Sequence, residues 1–294
     1  MLLISHLIHG LQVGSIYALV ALGYTMVYGI IKLLNFAHGD IIMVGGYIAL
    51  FSLTLNSGMH PVLAALITVA GCTLLAIIIE KLAYTPLRLA PRLSLLITAI
   101  GISILLQNLA QYFFTANDRS FPGRLLLPVG NFMLGDIRIS YTALITLVVS
   151  VASMIALTML VKSTKLGKAM RAVSEDTGAA QLMGINVNNV ITFTFAVGAA
   201  LAGIGALLYS VHFPIINPTI GAMLGLKAFV AAVFGGIGSI PGTMVGGYAI
   251  GILEALVTAA GFSAWVDGVV FLLLILVLMV RPTGLMGRPI MEKV

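Results

Sequence analysis

The stretch Gly235-Gly236-Ile237-Gly238-Ser239-Ile240-Pro241-Gly242 lies in the middle of an apolar run that extends from residue 225 to residue 260. A single helix of that length would be about 54 Å long, whereas the apolar core of a lipid bilayer is about 30 Å thick. Four glycines and a proline within eight residues break a helix. We therefore predict two helical pieces, 225–237 and 241–260, with Pro241 in the first turn of the second, where its missing N–H is not needed. The first piece, at about 13 residues, either spans the membrane or re-enters it.

The composition indicates a membrane protein. Of the 294 residues, 60% are hydrophobic and 8% are charged, whereas soluble domains have about 25% charged residues. The apolar runs reach the length of a spanning helix and do not alternate as the strands of a membrane barrel do. We predict an all-α polytopic helical bundle that forms one transmembrane domain over residues 1–294. Its eight or nine membrane segments are 5–31, 37–56, 61–83, 93–114, 139–161, 189–210, 225–237, 241–260 and 265–281.

The distribution of basic residues predicts the orientation of these segments. Lys and Arg near the ends of spanning helices favour the cytoplasmic side. With the N-terminus outside and the break at 235–242 taken as a cytoplasmic turn, eleven of the fifteen basic residues lie inside, and the C-terminus is cytoplasmic. Because the basic residues occupy short links between apolar runs, the net charge of +6 does not indicate a nucleic-acid partner.

Small residues recur at intervals of four along several of the apolar runs. The pairs are Gly10 and Gly14, Gly198 and Ala202, Ala199 and Gly203, Gly242 and Gly246, and Gly247 and Gly251. In lipid, such faces let two helix backbones approach closely. The pattern predicts tight helix packing and carries little information about function.

The segment 162–188 is the longest stretch expected on the cytoplasmic side. Leu166, Met170 and Val173 fall on one helical face, and four basic residues between 162 and 171 recur every three positions on a neighbouring face. We predict one or two short helices at the membrane surface. The apolar face either contacts a partner protein or rests on anionic lipid, and the pattern alone leaves both interpretations open.

Part of this segment carries a family resemblance. Glu175-Asp176-Thr177-Gly178-Ala179-Ala180-Gln181-Leu182-Met183-Gly184 resembles the coupling loop of ABC importer permeases, where Glu-Ala-Ala is followed by a glycine four positions on. It departs from that pattern in the three residues between the acid and the alanines. Further stretches are similar to the LivH type of branched-chain amino acid permease, so the resemblance spans nearly the whole chain. They are Tyr17-Ala18-Leu19-Val20-Ala21-Leu22-Gly23, Leu34-Asn35-Phe36-Ala37-His38-Gly39-Asp40, Lys227-Ala228-Phe229-Val230-Ala231-Ala232-Val233-Phe234-Gly235-Gly236-Ile237-Gly238-Ser239 and Arg281-Pro282-Thr283-Gly284-Leu285-Met286-Gly287.

The resemblance implies a function and a set of partners. It implies a permease subunit of an ATP-driven importer in a bacterial inner membrane, moving branched-chain or other apolar amino acids. Its partners would be a second, related permease, two ATPase subunits and an extracytoplasmic substrate-binding protein. A short helix of the loop would dock into a cleft on the ATPase. The residues that the resemblance assigns to this coupling are Arg171, Glu175, Asp176, Ala180 and Gly184.

The sequence has no motif for catalysis or cofactor binding. It contains neither a G-x-x-x-x-G-K-[ST] phosphate-binding motif nor a G-x-S-x-G nucleophile motif. The five histidines show no paired metal-ligand spacing, and Cys72 is the single cysteine. We therefore predict that the chain is not an enzyme and binds no metal or cofactor of its own, with ATP bound by partner subunits.

Polar residues within the apolar runs are the candidates for the translocation path or gate, because such residues are costly in lipid. They are Asn35, His38, Asp40 and Glu254. Asp40 follows a break, so a role in complementing a helix dipole is also open. Three other functions are considered: a permease for urea or short amides, an ion-coupled secondary transporter that would use Glu254, and a structural scaffold.

Overall fold

The computed structural model of the protein describes residues 2–32, 35–55, 59–88, 90–128, 130–134 and 137–287. Most of these residues are helical. A π-helical turn, Glu80–Tyr84, directly follows the third helix. The helices are α1 (Leu2–Ile31), α2 (His38–Leu55), α3 (Pro61–Ile79), α4 (Arg92–Phe114), α5 (Tyr141–Ser163), α6 (Lys165–Glu175), α7 (Thr177–Leu182), α8 (Val187–His212), α9 (Ile220–Gly235), α10 (Ile240–Ala259) and α11 (Val266–Val280).

Eight helices among the described residues are long and apolar enough to cross a membrane. They are α1, α2, α3 with its π-helical turn, α4, α5, α8, α10 and α11 with the turn before it. Helix α9 is also apolar but has only 16 residues. The prediction of a polytopic helical bundle with eight or nine membrane segments is confirmed.

Short strands occur in the connections that follow α4 and α8. Strand β1 (Arg119–Ser120) pairs antiparallel with β4 (Ile215–Ile216), and β2 (Asn131–Leu134) pairs with β3 (Ile137–Ser140). These strands were not predicted, because runs of two to four residues are too short to show the alternation of apolar and polar residues that marks a strand.

Helix α1 forms the centre of the bundle, and every residue from Gln12 to Val27 is buried. Helices α3, α4, α5 and α11 lie at the periphery and turn large apolar side chains outward. Leu66 of α3, Ile104 of α4 and Val148 of α5 are each more than half exposed. An apolar outer surface of this extent requires lipid around it.

The tightest helix packing joins α1 to α10 through the small residues noted in the sequence. A β-carbon at Gly251 would overlap the backbones of Gly10 and Gly14, and one at Gly247 would lie 2.5 Å from the Cα of Ala18. The two helices therefore touch backbone to backbone. The prediction of tight packing at these glycines is confirmed.

The predicted helix break lies between α9 and α10. Gly236 and Gly238 have φ angles of 108° and 91°, which other residues adopt only with strain. Ser239 caps α10 by accepting a hydrogen bond from the Gly242 amide at 3.2 Å, and Pro241 lies in the first turn as predicted. The predicted bounds of the first piece, 225–237, were wrong, because the helix runs from Ile220 to Gly235.

One hydrogen bond and one backbone conformation explain the bounds of α9. The Asn217 side chain accepts a hydrogen bond from the Thr219 amide at 3.2 Å, and this turn allows the helix to begin at Ile220. The left-handed conformation of Gly236 ends it.

The segment after α11 closes the open end of α9. The amides of Leu285 and Met286 donate to the carbonyl oxygens of Phe234 and Gly235 at 2.9 and 3.0 Å. The last carbonyls of a helix have no partner within the helix itself. This terminal segment supplies that partner and holds α11 to the break.

Candidate functional site

The segment 162–188 folds into two short helices, α6 and α7, between α5 and α8. The Thr164 hydroxyl caps α6 by accepting from the Gly167 amide at 2.9 Å, and the Asp176 carboxylate caps α7 by accepting from the Ala179 amide at 2.9 Å. Gly184, with φ of 80°, follows α7. The prediction of one or two short helices is confirmed.

The apolar face of α6 points into the bundle. Met170 and Val173 are 2% and 3% exposed and belong to the main hydrophobic core, whereas Leu166 is 45% exposed. The expectation that this face contacts a partner or lipid is therefore wrong for Met170 and Val173. The periodicity locates an apolar face but does not specify what that face covers. The most exposed large apolar side chains of the segment are those of Leu182 and Met183, which are 91% and 82% exposed.

The five residues assigned to coupling differ in their exposure. Arg171 is exposed, and its guanidinium donates to the carbonyl oxygen of Val161 at the end of α5. Glu175, Asp176 and Gly184 are exposed, whereas Ala180 is 3% exposed and packs into the core.

A cavity of about 110 Å³ separates α6 from the helix break. Its lining brings together the C-terminal half of α1, the end of α5, one side of α6 and the start of α10. Residues that represent these elements are Thr25, Met170, Arg171, Ser174, Gly238 and Ile240. The two features that the sequence analysis singled out, the 162–188 segment and the 235–242 break, are thus neighbours across a small void.

The residues that lead into α2, 35–37, lie inside the bundle. The His38 ring lies directly against Gly23 and packs edge-on against Tyr24, with 4.8 Å between ring centroids. Gly23 precedes the end of α1 by about 12 Å along the helix axis. Helix α2 therefore begins well within the bundle, where Gly39 contacts Gly221 at the start of α9. The first turns of α2 and α9 meet there.

Asn35 lies in the α1–α2 connection, His38 and Asp40 lie in the first turn of α2, and all three side chains are buried. The Asn35 side-chain oxygen accepts a hydrogen bond from Tyr84 at 2.8 Å, and Asp40 accepts one from Gln107 of α4 at 3.0 Å. The structure thus brings three of the four candidate path residues together.

Glu254, the fourth candidate, belongs to a different cluster. Lys227 of α9 lies 2.8 Å from the Glu254 carboxylate and 2.7 Å from that of Asp267, and Tyr17 of α1 donates to Glu254 at 2.9 Å. The cluster joins α1, α9, α10 and α11. Ion-coupled transport would need an acid free to exchange its cation, whereas the Glu254 carboxylate already has a cationic partner.

Comparison with known proteins reveals the family. The sequence profile described as "Branched-chain amino acid transport system / permease component" matches residues 6–279. The chain belongs to this family. This permease is accordingly a membrane transport component, and the resemblance stated from the sequence is confirmed.

The permease matches named relatives over almost its whole length. It is 46% identical to the "High-affinity branched-chain amino acid transport system permease protein BraD" of Pseudomonas aeruginosa, over 99% of this chain and 98% of that protein. It is 43% identical to the "High-affinity branched-chain amino acid transport system permease protein LivH" of Escherichia coli K12, over 99% and 97%. An archaeal relative, the "Probable branched-chain amino acid transport permease protein LivH" of Methanocaldococcus jannaschii, is 30% identical over 93% and 89%.

Glu80 of the permease is a buried charge that was not among the predicted site residues. It is completely buried at the start of the π-helical turn and forms an ion pair with Arg88. Thr85 and Thr192 also donate to its carboxylate, at 2.8 and 2.7 Å. The signal was present, because an acid inside the apolar run 61–83 is costly unless it is paired. Its nearness to the end of the run made it look like part of a polar link.

The cap of α7 gives a first prediction for the permease. Asp176→Ala removes the acceptor for the Ala179 amide. Loss of such a cap lowers the stability of a helix by about 1 kcal/mol. Amide hydrogen exchange over residues 177–182 should become about fivefold faster. The measurement is exchange mass spectrometry of the purified protein. Asp176→Asn keeps an acceptor oxygen and should exchange at the wild-type rate; equal rates in all three proteins would contradict the assigned cap.

Proposed function

We propose that this permease is the transmembrane subunit of an ATP-driven importer for branched-chain or other apolar amino acids. The observation that supports it most strongly is the match, over nearly the full length of both chains, to permeases named for high-affinity branched-chain amino acid transport. The chain would lie in a bacterial inner membrane, with its N-terminus outside and its C-terminus in the cytoplasm. A second, related permease and an extracytoplasmic substrate-binding protein would complete the path.

Energy would come from two separate ATPase subunits that bind ATP. The surface suited to receive them is the tip of α7, where Leu182 and Met183 expose their side chains. Apolar side chains in a cleft provide packed contact area, and the exposed charges of Arg171 and Glu175 in the same segment would set the register. The cavity between α6 and the helix break would give the loop room to move when the ATPases close.

The substrate path would pass the α1–α2 connection, with Asn35, His38 and Asp40 as its polar residues. The paired state of Glu254 supports a structural role for that residue over a role in ion coupling. A path for apolar side chains needs few polar groups, and the buried contacts of Asn35 and Asp40 are consistent with that.

The ATPase contact can be tested by co-purification from native membranes. Met183→Asp places a charge at the centre of the proposed contact, and recovery of the ATPases with the tagged permease should fall about tenfold, which corresponds to about 1.4 kcal/mol. Met133→Asp is the matched control, because Met133 is a 61% exposed methionine on β2, on the side predicted to be outside. If the two variants recover equal amounts of ATPase, the contact lies elsewhere on the permease. If the folded wild type recovers no ATPase, the importer proposal is wrong.

The substrate class needs its own measurement. Cells that carry the complete system should accumulate labelled leucine, and an excess of isoleucine or valine should compete with it. Urea and acetamide should not compete. Competition by the amides alone would assign the permease to that other substrate class.

A further inference from the structure

The π-helical turn Glu80–Tyr84 contacts both the first turns of α8 and the buried α1–α2 connection. In a π-helix each turn holds an extra residue, and here the Thr85 amide bonds to the Glu80 carbonyl, five residues back, at 2.8 Å. Single turns of this kind occur frequently at functional sites. The turn places the Glu80 carboxylate towards α8 and the Tyr84 hydroxyl towards Asn35.

Glu80 connects the turn to the start of α8. Its carboxylate accepts from Thr192, and its partner Arg88 also donates to the side chain of Asn188. Asn188 and Thr192 are four residues apart and share one face of α8. That helix begins at Val187, directly after the α6–α7 segment, so a movement of the segment reaches Asn188 first.

Tyr84 connects the same turn to the α1–α2 connection. Its hydroxyl donates to the Asn35 side chain at 2.8 Å, and its ring packs against Phe195 of α8 with 5.3 Å between centroids. Asn35 leads into α2, whose first turn holds His38 and Asp40 and meets the start of α9.

We propose that Glu80 and Tyr84 are positioning residues that transmit movement of the α6–α7 segment, through the start of α8, to the α1–α2 connection. The proposal rests on the proposed function, since it requires that an ATPase moves that segment. A buried carboxylate bound on both oxygens holds the turn rigidly to α8. The turn then carries the Tyr84 hydroxyl, and with it Asn35, when α8 shifts.

The test uses substitutions that remove one hydroxyl each, because Glu80→Ala leaves Arg88 without its partner and is expected to unfold the protein. Tyr84→Phe keeps the ring against Phe195 and loses only the bond to Asn35. Thr192→Val keeps the shape and loses the bond to Glu80, together with a bond to the Asn188 carbonyl oxygen of its own helix at 3.1 Å. The matched controls are Tyr112→Phe, at an 82% exposed tyrosine, and Thr73→Val, whose hydroxyl bonds only to the backbone of its own helix.

The readout is labelled leucine transported per ATP hydrolysed by the complete importer in proteoliposomes. Both test variants should lower this ratio about fivefold, the effect expected from one lost hydrogen bond, while hydrolysis stimulated by the loaded binding protein continues. Both controls should keep the wild-type ratio. A purely structural turn would leave the ratio unchanged, whether or not overall activity falls, and that result would overturn the proposal. A wild-type complex that does not hydrolyse ATP would instead overturn the proposed function.

Discussion

Gly251→Leu is expected to leave little folded protein in the membrane. Its side chain would enter the space now occupied by the backbones of Gly10 and Gly14, and neither backbone can rotate away as a side chain can. Overpacking of an ordinary core costs about 1–3 kcal/mol, and separating α1 from α10 should cost more. That is a large part of a total stability of about 5–15 kcal/mol.

The yield of monodisperse tagged protein, measured by fluorescence-detected gel filtration, would show this loss. Gly101→Leu is the matched control, because a β-carbon at Gly101 of α4 meets no atom within 4 Å. Its yield should equal that of the wild type. Similar yields for both variants would contradict the close backbone contact between α1 and α10.

Lys227→Met is expected to destabilise the protein by about 3–5 kcal/mol, because it leaves the Glu254 carboxylate largely buried without its cation. The side chains of Lys227 and Glu254 are each 13% exposed, whereas Asp267 is 48% exposed and can turn to water. The energetic cost of losing the ammonium group therefore comes mainly from the unpaired carboxylate of Glu254. Thermal unfolding of the protein in lipid nanodiscs measures the effect.

The double variant Lys227→Met/Glu254→Met should recover most of the lost stability, since an apolar pair often replaces a buried ion pair without loss. Lys168→Met, at an exposed residue of α6, is the control and should unfold like the wild type. If the double variant also imports leucine, Glu254 does not carry a coupling ion. A double variant less stable than Lys227→Met would contradict the assignment of Glu254 to a structural ion pair.

The membrane fold follows from the sequence because lipid restricts the possibilities. A spanning segment must satisfy its own backbone hydrogen bonds, so a run of apolar residues already specifies a helix and its approximate ends. The break at 235–242 was predictable for a similar reason, since glycine and proline act on the backbone locally. The two short helices of the 162–188 segment also follow from periodicity.

Other features depend on tertiary contacts that no local pattern reports. Met170 and Val173 form an apolar face in the sequence, but only the packed structure shows that the face covers this chain's own core. Asn35 and Tyr84 are far apart in the chain and meet because the residues that lead into α2 lie inside the bundle. The pairing of Glu254 with Lys227 likewise depends on how α9 and α10 cross. The assigned coupling and path residues remain predictions.

The burial of α1 by α10 has a consequence for biosynthesis. Gly10 and Gly14 leave the ribosome about 240 residues before their partner Gly251. At about 5–20 residues per second, that delay is roughly 10–50 s. During this interval the glycine face of α1 has no native neighbour at its first turns, and lipid or the insertion machinery must cover it. The centre of the bundle is therefore inserted well before the helix that completes its packing is synthesised.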